Sequence, residues 1–440
     1  MKLPLSRIVL AISALLSGHS SAATLEQTVA HTLDTNPSVR LNFNRFKAAE
    51  EQVNEARGQY LPQIDLYALH GYDWTDSPTG RADGDHNLEF TPTQAGISIS
   101  QLLFDGFRST GEVARLGYEA SAEQWALINA AENIALSVVQ SYLAILTAEQ
   151  QLELAEHNLA NHQQLSDKIQ QRADSGLGSS ADLAQSKGRL ARAFSNRIAA
   201  YNNLLDAQAQ FENITAFTTD ELTLPIPDLA LLPSSLGEAL QQTEQHPLLK
   251  SAALDINAAQ QQQRVAQADY YPSLHLKVDG NWGDDIDYTS GHNNDIRAII
   301  EMRYNLFSGG STKAKIRTTA YQIGEAKAIR EQAIRDVQEG MRLSWHAFQS
   351  LSQQKRYLRE HVEASKVVQL AYAEQFRLGQ RSLLDLLDTE NELFQARYDY
   401  IQTEMDELFA QYRLLNAGGQ LLNSLRITQP PAWQTERDYQ

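Results

Sequence analysis

The sequence predicts an α+β chain in which long antiparallel helices and a few strands each occur twice. Helical periodicity continues for about 68 residues at 108–175 and again at 311–378. A glycine-marked turn follows each segment, and Gly176 in the first turn corresponds to Gly379, 203 residues later. Two turns built on one plan indicate a tandem internal repeat.

Composition restricts the possible function. The chain has 440 residues, a formal net charge of -17 and a pI near 5.1, so we expect no nucleic-acid partner. Cysteine is absent, which excludes disulfides, thiolate metal sites and a cysteine-linked lipid anchor. HExxH, GxSxG, GxGxxG and P-loop motifs are missing, and the 11 histidines are scattered. We therefore expect a protein without enzymatic activity, cofactor or metal.

Residues 1–23 form a predicted secretory signal sequence. Lys2 and Arg7 supply the positive start, residues 8–16 an apolar core, and residues 21–23 a small-residue cleavage site. The apolar core is much shorter than the ~20 residues that span a bilayer. Beyond this segment we expect no transmembrane helix, so a mature chain that crosses a membrane would cross it as strands.

The domain boundaries follow the repeat. The first repeat spans 24–216 and the second 235–425, separated by a proline-broken linker at 217–234 and followed by a polar tail at 426–440. Each repeat has two short helices, a β-hairpin and a long helical hairpin. The two copies differ by seven residues within the hairpin region, where exposed loops accept insertions.

Alternating apolar and polar residues predict the β-hairpins, at about 63–104 and 273–307. In the second copy Ile296, Ala298 and Ile300 alternate with mostly polar neighbours. One interpretation is a soluble sandwich, and the other is a transmembrane barrel, which needs ~9–11 residues per strand. Four strands cannot satisfy their edges in lipid, so a barrel would have to close with further copies of the chain. The sequence does not fix the number of copies.

The long helical segments predict lengthwise packing. At ~1.5 Å per residue each would reach about 100 Å, which exceeds the core of a compact domain. Sparse apolar residues at three- to four-residue spacing are typical of coiled coils. The returning helices, at about 180–215 and 382–424, are the predicted antiparallel partners. A fibrous surface protein is an alternative, but it would not need the two hairpins.

The second turn, within residues 375–387, contains the candidate functional residues. Gly379 suits the end of a helix, since glycine adopts positive φ at no steric cost. Ser382 can cap the next helix, with Asp385 at its third position. Asp385 and Asp388 are three residues apart and project from one helix face. A simple cap at Asp385 and a solvated carboxylate at Asp388 are the alternative interpretations.

Several short motifs together resemble the TolC family of outer-membrane efflux and secretion proteins. These motifs are the NP and HP helix breaks, the YLP and YYP helix ends, the LFDG and LFSGG bends and the LGQRSLLDLLDTEN turn. The resemblance covers about residues 24–425. It implies a homotrimer whose chains each add four strands to one twelve-stranded barrel in the outer membrane of a Gram-negative bacterium. It also implies a coiled-coil helical tunnel in the periplasm, an inner-membrane pump and a periplasmic adaptor (membrane fusion) protein.

The resemblance places a gate at the two turns. Asp182 and Arg381 match the acid and the arginine that link the inner helices at the closed end of the tunnel. Phe376 stands where well-studied members have a tyrosine, and Ala181 where they have a hydroxyl residue. In this protein, closure of the tunnel would therefore depend more on the Arg381–Asp182 pair and on packing.

Asp385 and Asp388 match the family's paired aspartates that face the pore. In a trimer they would form two rings of carboxylates, which favour bound cations. The RSLLDLLDTENELF segment and the missing lipid-anchor cysteine are most similar to members that serve type I protein secretion by an ABC transporter. Multidrug or small-molecule efflux with a proton-driven pump is the alternative.

Overall fold

The computed structural model describes most of the mature chain. The described residues are 23–82, 84, 86–176, 179–218, 221–286 and 290–435. The predicted signal sequence lies outside them except for Ala23, and so does the end of the predicted tail, residues 436–440. The described chain is mostly helical, with a few antiparallel strands.

The helices agree closely with the predicted periodicity. In chain order they are α1 (Leu25–Thr35), α2 (Pro37–Gly58), α3 (Pro78–Ala82), α4 (Arg108–Asp174), α5 (Ser180–Thr215), α6 (Leu236–Gln242), α7 (Pro247–Gln267), α8 (Ser311–Arg377), α9 (Leu383–Ala417) and α10 (Leu421–Ser424). Both α4 and α8 contain 67 residues. The helix predicted at about 382–424 is divided, because Gly419 has a φ of +67° and turns the chain between α9 and α10.

Four strands form an antiparallel sheet. The strands are β1 (Gln63–His70), β2 (Asp73–Thr75), β3 (Leu88–Phe90), β4 (Thr93–Phe104), β5 (Ser273–Asp284) and β6 (His292–Arg303). The sheet order is β1-β4-β5-β6, and β2 pairs separately with β3. β6 ends at Arg303, before the predicted residue 307. Its last partner is Ser273, and the preceding Pro272 has no N–H to continue the ladder.

The strand register places apolar residues side by side. One row across the four strands consists of Leu66, Ile97, Gly280 and Ile296. The adjacent row consists of Asp65, Ser98, Asp279 and Arg297. Directly paired residues share a face of the sheet. The sheet therefore has one largely apolar face and one largely polar face, and Leu66 and Ile296 on the apolar face are each 81% exposed.

The chain divides by its internal contacts into two compact units. The helical unit contains the residues up to Arg40, Asn129–His246 and Val337–Gln429, and the strand unit contains Leu41–Ile128, Pro247–Asp336 and the residues from Pro430. Each predicted repeat supplies segments to both units.

Buried aromatic residues organise the helical unit. Tyr142 and Phe211 are fully buried and meet edge to face, with ring centroids 6.3 Å apart. The Tyr142 hydroxyl accepts a hydrogen bond from the Thr223 amide at 3.0 Å. Ala23 forms an isolated parallel bridge with Leu222. The described start of the chain and the linker between the repeats are therefore both fixed to α4.

In the strand unit, close backbone packing surrounds the bend before α4. Gly106 has a φ of +71°, and a Cβ added there would lie 2.6 Å from the Cβ of Tyr271 and 2.8 Å from the carbonyl oxygen of Ala268. Only glycine fits this position. Arg108, at the start of α4, pairs with Asp269, which also binds Lys315 at 3.2 Å.

Among the described residues, one helix is long and apolar enough to cross a membrane, by length and composition alone. An 18-residue window within α4 has a mean hydropathy of 1.2, whereas the sequence led us to expect no such run after the signal. In the structure, 56% of this window is buried inside the chain. Burial of this kind is also found in the core helices of soluble proteins, so the window is weak evidence for a span.

Candidate functional site

At the first turn, between α4 and α5, small residues end one helix and begin the next. Gly176 has a φ of +74°, and its amide donates to the Ala173 carbonyl at 3.0 Å. The Ser179 side chain caps α5 by accepting from the Ala181 amide at 3.1 Å. Asp182 lies in the first turn of α5, where a negative charge complements the helix dipole.

The second turn, between α8 and α9, has the hydrogen bonds of a Schellman motif. The Gly379 amide donates to the Phe376 carbonyl at 3.0 Å, and the Gln380 amide donates to the Gln375 carbonyl at 2.9 Å. Gly379 has a φ of +77°. These bonds satisfy carbonyls at the end of α8, so the turn is well defined.

Ser382 and Asp385 form a reciprocal capping box at the start of α9. The Ser382 side chain accepts from the Asp385 amide at 3.2 Å, and the Asp385 carboxylate accepts from the Ser382 amide at 3.2 Å. The Ser382 hydroxyl also donates to this carboxylate at 2.8 Å. Hydrogen bonds from the Ser382 side chain and amide, with a further contribution from the Arg381 charge, lower the pKa of Asp385. The predicted cap is confirmed, and its carboxylate remains ionised.

Arg381 is held on the α8 side of the turn. Its Nε donates to the Gln375 side-chain oxygen at 3.0 Å, and its guanidinium lies 4.3 Å from the centre of the Tyr372 ring. Among the described residues of one chain, no ion pair joins Arg381 to Asp182. A link between the two would therefore have to form between copies of the chain or after a rearrangement.

Phe376 belongs to an apolar cluster that brings four helices together at the turns. The members of this turn cluster are Leu165 and Ile169 of α4, Leu183 of α5, Phe376 of α8, and Leu383 and Leu387 of α9. Ile169, Leu383 and Leu387 are buried. The guanidinium of Arg172 lies 5.7 Å from the centre of the Phe376 ring. Packing therefore places the two predicted turns next to each other.

Asp388 forms an ion pair that the sequence analysis did not identify. Its Oδ1 lies 2.8 Å from Nη2 of Arg189 on α5. Arg189 follows Asp182 by seven residues and so lies on the same face of α5, two helical turns away. The seven-residue spacing can be recognised in the sequence and places Arg189 near the turn, but it does not indicate which carboxylate Arg189 binds.

A groove runs beside the turn cluster, between the ends of α4 and α8. Its volume is about 710 Å³. Its lining includes Lys168 and Arg172 of α4 and Glu374 and Arg377 of α8. Gln369 donates a side-chain hydrogen bond to Glu390 at its edge. Among the described residues, no group of three or more His, Cys, Asp or Glu side chains is arranged to hold a metal ion.

Comparison with known proteins identifies relatives over nearly the whole chain. The chain is 26% identical to the outer membrane efflux protein BepC of Brucella suis, covering 91% of this chain and 86% of BepC. It is 26% identical to the outer membrane protein TolC of Escherichia coli, covering 92% and 85% of the two chains. It is 22% identical to the alkaline protease secretion protein AprF of Pseudomonas aeruginosa, covering 84% and 80%.

The fold is that of solved outer membrane channels. The crystal structure of the Campylobacter jejuni CmeC outer membrane channel matches with a TM-score of 0.79 at 15% identity, covering 95% of this chain and 94% of CmeC. The family model described as outer membrane efflux protein matches residues 29–216 and 239–420, which is most of the chain. This chain therefore belongs to the outer membrane efflux protein family, and its location is the outer membrane.

Proposed function

We propose that three copies of this chain form a channel-tunnel that carries substrates from an inner-membrane pump across the periplasm and the outer membrane. The observation that carries the proposal is the four-stranded sheet, which has an exposed apolar face and two edge strands, β1 and β6. Unpaired edge groups are not tolerated in lipid. Closure with two further copies would give a barrel of twelve strands, an even number as in bacterial outer-membrane barrels.

An exposed apolar stripe on α5 also supports association between copies. Phe194, Ile198, Tyr201 and Leu205 follow one another at steps of four, three and four residues, and each is at least 44% exposed. This is the spacing of a coiled-coil seam. We infer that helices of a neighbouring copy cover the stripe, which places α5 in the wall of the proposed tunnel.

We further propose that the exported substrate is a protein, as in type I secretion. The relative AprF is by its name a secretion protein for an alkaline protease, and the segment from Arg381 to Phe394 resembles members that serve this route. The partners would then be a periplasmic adaptor protein and an inner-membrane ABC transporter.

Small-molecule efflux with a proton-driven pump is the second candidate. It is favoured by BepC, which is named as an efflux protein, and by the CusC relative, which is named as part of a cation efflux system. Deleting the gene in its own bacterium separates the two candidates. Loss of a protein from the culture medium, with unchanged sensitivity to antibiotics and metal ions, supports secretion. Raised sensitivity with an unchanged set of secreted proteins supports efflux.

The pore itself is proposed to narrow at the two turns. In a trimer, Asp385 and Asp388 would form rings of carboxylates, while Arg381 and Asp182 of adjacent inner helices would hold the turns together. The ionised state of Asp385 supports this role, because fixed carboxylates attract cations. Phe376 and the turn cluster would supply the packing that keeps each chain's turns in place.

Single-channel recording in planar bilayers tests the pore. We expect the purified mature protein to give small, cation-selective current steps, and the double change Asp385→Ala with Asp388→Ala to weaken both this selectivity and block by multivalent cations. Asp167→Ala, which removes an exposed carboxylate from α4, is the matched control and should keep both. Unchanged selectivity in the double variant would remove the two aspartates from the pore.

A further inference from the structure

Asp385 and Asp388 have different electrostatic surroundings although they are three residues apart. Asp385 is bound by the neutral Ser382 hydroxyl and amide, and the charge of Arg381 acts on it without an ion-pair contact. The Asp388 side chain is 58% exposed and meets the guanidinium of Arg189 at 2.8 Å, in a pair that joins α9 to α5 of the same chain. A charge-assisted hydrogen bond of this length holds a positive charge directly against the carboxylate.

Arg189 is well placed to remain with Asp388. Its side chain is only 26% exposed, so it is more fixed than an arginine at an open surface. Its charge also acts on His162 of α4, which is buried. Burial, and in second place the positive charge of Arg189, lower the pKa of His162. The imidazole is therefore neutral near pH 7 and adds no second positive charge beside the pair.

We propose that Arg189 is a selectivity-determining residue: it neutralises Asp388, so that the ring of Asp385 carboxylates supplies most of the cation selectivity of the pore. This inference rests on the proposed channel function. In a trimer, the pair would reduce the number of uncompensated carboxylates at this level from six to three. Loss of the Arg189 charge would restore all six, whereas loss of the Asp388 charge would leave three unpaired guanidinium groups.

The test is the reversal potential of the reconstituted channel under a salt gradient. For Arg189→Gln we expect the cation-over-anion permeability ratio to rise about twofold or more, because three further carboxylates become uncompensated. For Asp388→Asn we expect the ratio to fall. The double variant should return to the wild-type ratio, because it removes both charges of the pair. Lys187→Gln removes an equal charge from an exposed position two residues away and serves as the control.

If Arg189 does not neutralise the Asp388 carboxylates, we expect a different result. In that case Arg189→Gln would leave the ratio unchanged and the double variant would behave like Asp388→Asn, which would overturn the inference. If Arg189→Gln does not assemble, the exchanged pair Arg189→Asp with Asp388→Arg provides the same test. The exchanged pair should keep the wild-type ratio, whereas an anion-selective channel would overturn the inference. Wild-type protein that gives no cation-selective steps would instead contradict the proposed pore.

Discussion

At Phe376 the chain has an apolar ring where the family resemblance leads one to expect a tyrosine. The structure shows this ring against Ile169, Leu383 and Leu387, three buried side chains from two neighbouring helices. Packing of such a ring stabilises the turns without a hydrogen-bonding group. Arg381, by contrast, is exposed in the turn and is held by Gln375 and Tyr372 of α8, so its position is defined before any copy of the chain approaches.

At the residue scale, Arg381→Ser should loosen the proposed gate. In the proposed trimer, the change removes the charge that would pair with Asp182 of a neighbouring inner helix, while the turn cluster inside each chain stays intact. We expect larger single-channel conductance in planar bilayers and greater leakage of antibiotics into cells.

Arg377→Ser is the matched control for this change. Arg377 lies four residues earlier and pairs with Glu374 on its own helix at 2.8 Å, so its loss should leave the conductance unchanged. Equal conductance for wild type and Arg381→Ser would mean that packing alone closes the tunnel.

At the scale of elements, the break between α9 and α10 is held by a buried carboxylate on α4. The Glu132 carboxylate accepts from the amides of Leu421 at 3.0 Å and Leu422 at 3.2 Å, at the start of α10. Asn416 donates from its side chain to the Glu132 carbonyl at 3.0 Å. Glu132 is 3% exposed. Burial raises its pKa from 4.5 to about 7, although the hydrogen bonds from Leu422, Leu421 and Asn416 act in the opposite direction.

The raised pKa of Glu132 predicts that the docking of α10 weakens as the pH rises. Opening of this segment returns the carboxyl to water and to its ordinary pKa. The contribution of the Glu132 carboxyl to the stability of the docked form is fully present below pH 4.5 and is lost as the pH rises to about 7. The loss amounts to about 3 kcal/mol in the free energy of opening. Hydrogen–deuterium exchange of the 418–428 segment, corrected for the intrinsic pH dependence of exchange, measures it.

Glu132→Gln should remove this pH dependence, because an amide does not titrate. Glu153→Gln, which changes an exposed residue of the same helix, should retain it. The same slope of opening free energy against pH in the wild type and in Glu132→Gln would exclude Glu132 as its source.

At the scale of the whole molecule, the segment between β2 and β3 lies outside the four-stranded sheet. The sheet joins strands from both predicted repeats, since β4 of the first hairpin pairs with β5 of the second. The short helix α3 (Pro78–Ala82) lies outside this sheet, between β2 and β3. Length differences between the two hairpins are expected in such a segment.

Deletion of residues 77–83 should therefore leave assembly intact. This deletion equals the seven-residue difference in length between the hairpin regions and removes no residue of the four-stranded sheet. We expect trimers in detergent, measured by size-exclusion chromatography with light scattering. Deletion of residues 94–100 from within β4 is the control of equal length and should abolish trimers. Loss of trimers in the first deletion would show that the segment takes part in assembly.

Much of the fold could be predicted from the sequence because the relevant signals are local. The boundaries of α4 and α8 follow from helical periodicity, and each helix ends beside a glycine with positive φ, Gly176 or Gly379. The capping box of Ser382 and Asp385 spans three residues, so it could be predicted from the spacing alone. Period-two alternation likewise identified the strands of the second hairpin.

The sequence by itself determined most of the helices, the strands of the four-stranded sheet, the capping of α9 and the family, since these depend on residues that are close together in the chain or on recurring motifs. Only the tertiary structure decided which distant groups meet. Arg189 and Asp388 are 199 residues apart, and Glu132 and Leu421 are 289 apart. Each of these contacts depends on how the helices pack, because packing rather than local propensity selects the partner of a charged or buried side chain.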